Sequence, residues 1–97
     1  MRFEWDIEKE KANIRKHNLS FREACLVFAD PKTIYMPDPE HSEGEFREIA
    51  LGKLGNITIA VVIFVDRSSK EEEIIRIVSA RKATKSEEVQ YYSNDII

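Results

Sequence analysis

The sequence predicts an α+β fold in which two N-terminal helices precede a four-stranded, mainly antiparallel sheet and a third helix closes the chain. Three observations predict it. Capping residues bracket apolar positions at helical spacing between Asp6 and Asp30, β-branched runs separated by short turns occupy residues 33–79, and a further capping signature opens at Thr84.

Phe3-Glu4-Trp5 leads into Asp6 and can supply a fifth strand. Asp6 suits an N-cap for a helix over Ile7–His17: Glu8 and Glu10 fall in its positive first turn and Arg15 and Lys16 in its negative last turn, and Asn18 suits a left-handed end. Ile7 and Ile14, two turns apart, with His17 one turn further on, predict a narrow buried stripe. Ser20-Phe21-Arg22-Glu23 has the capping-box spacing, and Phe21, Ala24, Cys25 and Phe28 recur at helical intervals until Asp30-Pro31 ends the helix. The two helices read as an antiparallel pair joined by a tight turn.

Strands are predicted at Thr33–Met36, Phe46–Leu51, Ile57–Val65 and Ile74–Ser79, with Gly52–Asn56 as a turn. Ile57–Val65 is apolar on both alternating faces apart from Thr58 and belongs in the sheet centre. Short connections favour an antiparallel meander. Helices segregated from such a sheet imply a sandwich in which they cover one face and leave the other free. Thr84-Lys85-Ser86-Glu87 repeats the capping-box spacing and starts a helix through Val89, Tyr91 and Tyr92.

Ninety-seven residues with 42% hydrophobic content fit one domain, residues 1–97. The net charge of -3 argues against a generic polyanion binder but permits a local basic patch. A lone Cys25 among apolar neighbours excludes a disulfide framework and reads as core. The longest apolar run, Ile59–Val65, is far below the roughly 20 residues of a membrane helix, so no membrane association and a cytoplasmic location are expected. His17 and His41 have no ligand-like spacing, and no phosphate-binding glycine loop, nucleophile elbow or paired carboxylates occur; neither a metal site nor a cofactor is expected.

The stretch Ile74–Ala83 places Arg76 and Arg81 in an otherwise core-like strand, where an unpaired guanidinium is expensive to bury. Strict alternation sets Ile74, Arg76, Val78 and Ala80 on one face and Ile75, Ile77, Ser79 and Arg81 on the other. The two arginines share a face only if a bulge intervenes; the favoured alternative ends the strand near Ser79 and lets Arg81 project from the following turn. Arg76 reads as an anion contact or as a structural pair with a carboxylate on a neighbouring strand, and Arg81 as an anion contact or as a surface arginine. Arg76 is the more exposed to the ion-pair reading, Arg81 the better phosphate candidate. Arg47 falls on the face of Ile49 and Leu51, and Arg67 follows the central strand, where it binds an anion or pairs with Asp66 or the Glu71 cluster. His17 is an acid or base candidate, or a favourable charge at a helix end. Tyr91 and Tyr92 stack on a base or cap the core, and helical spacing with Val89 makes one of them a core residue.

Phe3-Glu4-Trp5-Asp6, Lys9, Asn13, Lys16-His17, Ser20-Phe21, Glu23-Ala24, Val27-Phe28, Asp30-Pro31 and Arg76 to Ala83, followed by Glu87 and Tyr91-Tyr92, resemble the BrnT toxins of bacterial type II toxin–antitoxin modules. The resemblance covers nearly the whole chain and implies a fold like that of the RelE-type ribonucleases. It also implies an RNA-cleaving toxin that arrests translation and is neutralised by a BrnA-type antitoxin, whose DNA-binding domain lets the complex repress its own operon. The implied chemistry is metal-independent attack of a 2′-hydroxyl on the adjacent phosphate. Arg67, Arg76, Arg81 and His17 are then the candidate catalytic residues, and Arg47, Lys16, Lys82 and Tyr91 the candidate RNA contacts. Acids at Glu71 to Glu73 lower the local positive potential and can pair with Arg67 or Arg76. The alternative is a non-catalytic module that only holds an antitoxin-like partner. Direct DNA binding by this chain alone is disfavoured, because its basic residues do not cluster on one helix.

Overall fold

The structure, a computed structural model, describes residues 1–40 and 44–94. His41 therefore lies outside the described residues, as do residues 42, 43 and 95–97. The elements run β1 (Arg2–Glu4), α1 (Ile7–His17), α2 (Phe21–Ala24) continuing as a 3-10 turn over Cys25–Ala29, β2 (Ile34–Pro37), β3 (Glu48–Lys53), β4 (Ile59–Asp66), β5 (Ile74–Lys82) and α3 (Lys85–Ser93). The sheet order is β1-β5-β4-β3-β2: the last four strands form the expected antiparallel meander, and β1 joins β5 in parallel as the fifth strand. The sheet is thus mixed, with helices on both sides.

Local chemistry accounts for the helix ends. Asp6 accepts from the amides of Glu8 (2.8 Å) and Lys9 (3.2 Å), which holds its carboxyl below the ordinary value, and Asn18 ends α1 at φ 54°. Ser20 and Thr84 form capping boxes with Glu23 and Glu87. The second helix holds α geometry for one turn only. Its 3-10 continuation brings Phe21, Ala24 and Val27, three residues apart and all fully buried, onto one stripe. Cys25 is half-buried, donates to the Phe21 carbonyl (3.2 Å), and burial pushes its thiol up to about 11, so it is a packing group.

The stripe expected on α1 is absent: Ile7 and Ile14 are 61% and 41% exposed, and the buried residue of this helix is Asn13. Its amide is spent on an unfinished strand edge. β1 pairs only with Ile74, Ile75 and Arg76, so the outer edge of β5 is bare beyond them. Asn13 Nδ2 donates to the carbonyls of Ala80 (2.8 Å) and Leu19 (2.9 Å), and its Oδ1 accepts from the Ala80 amide (3.1 Å). One side chain completes the ladder and fixes α1 to the sheet.

The inner face of the sheet packs Ala50, Ala60, Val62, Phe64, Ile75, Ile77 and Ala80 against Leu19, Phe21, Ala24 and Val27. The outer face is not left free. There α3 lays Tyr91 on Leu51, Ile59 and Val61, and the Tyr91 hydroxyl donates to Asp30 Oδ2 at 2.6 Å. Asp30 also accepts from the amides of Lys53 (2.9 Å) and Lys32 (3.0 Å); burial opposes its ionisation, but these bonds, led by Tyr91, keep its carboxyl below the ordinary value.

Strand limits differ from expectation for physical reasons. β3 runs through Gly52, where a Cβ would stand 2.2 Å from Thr33 Oγ1; the glycine marks a close approach within a strand, not a turn. Phe46 and Ile57, assigned to strands by their apolar character, are 59% and 80% exposed and lie outside them. β5 continues to Lys82 through a bulge: Ile63 pairs with Ser79 and Phe64 with Ile77, which leaves Val78 as the extra residue.

Replacing Asn13 by Ala leaves the Ala80 amide and carbonyl without partners in a buried setting. Orphaned groups of this kind cost about 1–3 kcal/mol each, so Asn13→Ala should lose about 2–6 kcal/mol, read from the urea midpoint at unchanged m-value. A midpoint equal to that of the wild type would show that the bridge is dispensable.

Candidate functional site

The bulge at Val78 resets the alternation of β5. Ile75 and Ile77 before it and Ala80 after it face the inner core, so Arg76 before it and Ser79 and Arg81 after it share the outer face. Of the two arrangements the sequence allows, the bulge is the one formed, and Arg81 is a strand residue and not part of the following turn.

On that outer face the register places Leu51, Val61 and Arg81 in one row and Ile49, Ile63 and Ser79 in the next. These rows floor a cleft of about 680 Å³. One wall is α3, through Glu87 and Gln90; the other is Met36 with Asp38, Pro39 and Glu40, and Arg47 completes the lining. An apolar floor with a few convergent charged groups is the usual build of a binding site.

The two cleft arginines differ in their bonding. Arg47 stands one residue before β3, on the face of Ile49 and Leu51 as alternation predicts. Its Nε is buried without a hydrogen-bond partner among the described residues. A buried guanidinium nitrogen without a partner is costly unless a ligand supplies the acceptor. Arg81 is clamped end-on: Nη1 donates to Glu87 Oε1 (2.8 Å) and Nη2 to Oε2 (2.9 Å), while Nη1 also reaches the Lys82 carbonyl (3.3 Å). Glu87 Oε1 accepts from the Thr84 amide (2.8 Å) as well. Hydrogen bonds from Arg81 chiefly, and from the Thr84 amide, prevail over burial and hold the Glu87 carboxyl at about 2; the same pairing raises the already basic Arg81.

The other predicted residues lie elsewhere. Arg76 is on the cleft's face but pairs with Glu4 of β1 at 3.1 Å, the carboxylate of a neighbouring strand. Arg67 pairs with Glu45 at 2.5 Å, not with Asp66 or the Glu71 cluster, and among those acids Glu72 is taken by Arg2 (3.3 Å). His17 and Lys16 end α1 and do not line the cleft; neither does Lys82, whose register partner Ala60 faces the inner core. Tyr91 is corrected outright: at 4% exposure, with its hydroxyl on Asp30, it docks α3 and is closed to a base. Tyr92 is the exposed member of the pair, with Lys53 Nζ 5.8 Å from its ring centre.

Sequence reading missed Ser79, Gln90 and Glu87 as cleft residues. The spacing from Thr84 to Glu87 identifies a cap, and nothing in that spacing reveals that the capping carboxylate also faces an arginine on the preceding strand. Among the described residues no group of His, Cys, Asp and Glu is placed to hold a metal ion, and no helix is long and apolar enough to cross a membrane.

Comparison with known proteins places the chain by family model and by structure. A family model described as the ribonuclease toxin BrnT of type II toxin–antitoxin systems matches residues 5–87. The crystal structure of the Brucella abortus ribonuclease toxin BrnT is similar, with a TM-score of 0.68 and 29% sequence identity, over 88% of this chain and 99% of that one. Among curated proteins no sequence matches.

The Arg81–Glu87 pair has a defined pH signature. Because the folded carboxyl titrates near 2 and the unfolded one near its ordinary 4.5, the pair's contribution is complete above about 4.5 and is lost as pH falls from there towards 2. Wild type should therefore be more stable than Glu87→Gln at pH 7, with the difference in denaturation midpoint closing between pH 4.5 and 2.5. A gap that stays constant over that range would contradict it.

Proposed function

Since the chain belongs to the BrnT family of ribonuclease toxins of type II toxin–antitoxin systems, we propose that it cleaves RNA in the cleft on the outer face of its sheet. RNA is its substrate and a protein antitoxin its partner. The observation that carries the location is Arg47, which lines the cleft with Arg81 and whose Nε has no hydrogen-bond partner among the described residues.

In this reading Arg47 and Arg81 receive one phosphate of the RNA backbone above Leu51, Val61 and Ile63. The adjacent 2′-hydroxyl gives its proton to water and attacks phosphorus, the bond to the 5′-oxygen breaks and that oxygen takes a proton from water, leaving a 2′,3′-cyclic phosphate and a 5′-hydroxyl. The extra negative charge of the five-coordinate transition state falls on oxygens that the arginines bind. Cationic side chains supply that charge stabilisation, so no divalent metal is required. DNA is spared because it lacks the nucleophile. Arg76 and Arg67, held in ion pairs with Glu4 and Glu45, hold the surroundings of the cleft without touching the scissile phosphate. Lys16, His17 and Lys82 are peripheral contacts to RNA outside the cleft. The apolar floor accepts the face of a base, a contact indifferent to net charge, which suits a chain of formal charge -3.

The consequence in the cell is arrest of translation in the cytoplasm by an endoribonuclease acting as one domain. Its antitoxin is of the BrnA type, and that partner brings the DNA contacts of an autorepressing complex. Among the described residues the basic side chains of this chain do not cluster on one helix for that role.

Arg47→Ala should keep its fold and lose cleavage by on the order of 100-fold or more, the usual effect of removing one donor from a transition-state oxyanion. The measurement is cleavage of an RNA oligonucleotide with EDTA present, beside a strand in which single 2′-hydroxyls are replaced by hydrogen. Cleavage is expected to vanish only at the substituted linkages. Undiminished cleavage by Arg47→Ala would sink the assignment of the cleft.

A further inference from the structure

Arg81 is the cleft arginine whose direction another side chain sets. Its two terminal nitrogens point at the two oxygens of Glu87, and the outer hydrogen of Nη1 is taken by the Lys82 carbonyl. What remains is the Nε–Nη2 side edge, where the Nε hydrogen and the second hydrogen of Nη2 make no hydrogen bond among the described residues. A guanidinium is planar, so fixing its end fixes the direction of its side edge.

We propose that Glu87 is a positioning residue for RNA cleavage: anchored at the start of α3, its carboxylate clamps the Nη1–Nη2 end of Arg81 and aims the Nε–Nη2 edge at the RNA phosphate. This rests on the reading that the cleft is the RNA site.

A carboxylate beside a phosphate-binding arginine can instead compete with the phosphate, and the geometry argues against that here. Glu87 and the free edge occupy different sides of the guanidinium, so a phosphate and Glu87 bind together. Nor is Glu87 free to leave. Its Oε1 also holds the Thr84 amide, its own amide donates to Thr84 Oγ1 (3.2 Å), and its carboxyl stays ionised at any pH near neutrality. The division of labour follows: Arg47 brings uncompensated positive charge, and Arg81, neutralised by its clamp, brings direction.

Two substitutions separate the clamp from the cap. Glutamine is accepted at this capping-box position, so Glu87→Gln keeps the bond to the Thr84 amide but faces Arg81 with one acceptor and one donor group. Thr84→Ala removes the cap hydroxyl and leaves the clamp. With an RNA oligonucleotide as substrate, Glu87→Gln should lower kcat on the order of 10–100-fold with KM nearly unchanged, as misplacement of a catalytic contact does. Thr84→Ala should lower the melting temperature yet keep wild-type kcat below it, and Arg81→Ala/Glu87→Gln should be no slower than Arg81→Ala. Should Glu87→Gln unfold at the assay temperature, Glu87→Asp, with the same charge and a shorter reach, carries the same kcat readout.

Three results overturn the proposal. A kcat at or above wild type in Glu87→Gln means that the carboxylate is idle or competes. An equal further loss in the Arg81→Ala background means that it acts through the fold and not through Arg81. Wild-type rates in Arg81→Ala itself would remove the cleft reading and the positioning role together, whereas loss in Arg81→Ala with none in Glu87→Gln removes the positioning role alone.

Discussion

The structure depends on how β5 is finished at its outer edge. β1 is three residues long and covers only the first part of a nine-residue strand. Past that point the backbone of β5 would face either water or another strand, and Asn13 supplies the missing donor and acceptor from α1. The same amide holds the Leu19 carbonyl, so the turn between α1 and α2 is located by the sheet edge. This is why α1 can be largely charged and present its isoleucines to solvent: three directed hydrogen bonds locate it in place of a hydrophobic stripe.

The freedom gained at that edge is used by the bulge. Without Val78 as an extra residue, Arg81 would fall on the side of Ile75 and Ile77, under the helices, where an ionised group has no outlet. With it, Ala80 takes the inner position, and its small side chain fits beneath the helix that carries Asn13. Ser79 and Arg81 turn to the cleft. The bulge and the Asn13 bridge therefore address the same stretch, one choosing which face each side chain takes and the other completing the backbone it leaves exposed.

Caps, stops and the meander were legible in the sequence because each rests on residues adjacent in the chain: Asp6, Asn18, Ser20 with Glu23, Asp30-Pro31 and Thr84 with Glu87 act within a few positions. What was not legible is what forms between distant positions. Asn13 looks like any polar helix residue until Ala80, 67 positions away, stands beside it. Tyr91 and Tyr92 are equivalent in one dimension, and only the arrival of Asp30 buries the first and exposes the second. Arg47 was set on the correct face by alternation alone, but its missing partner is a property of the closed cleft. For Arg76 the ion-pair reading was available in advance, since a strand neighbour must lie beside it; that the neighbour is Glu4 required β1 to be there.

Acids outnumber basic residues 18 to 15. Glu4, Glu45, Glu72 and Glu87 are each matched to an arginine, and each such pair contributes little field beyond its own neighbourhood, so the local arrangement of the remaining charges decides what a phosphate meets. Arg47 is the cleft cation that such pairing leaves over among the described residues. Set over an apolar floor, with Asp38 and Glu40 in the same lining, Arg47 attracts a phosphate weakly at long range but discriminates strongly at contact, where solvent is displaced and the effective dielectric falls. A ribonuclease built this way relies on shape and directed hydrogen bonds more than on steering, and an acidic exterior keeps its affinity for bulk nucleic acid low. The same economy makes α3 part of the site and not merely its cover, because the helix that seals the core with Tyr91 also delivers, one turn earlier, the carboxylate that holds Arg81.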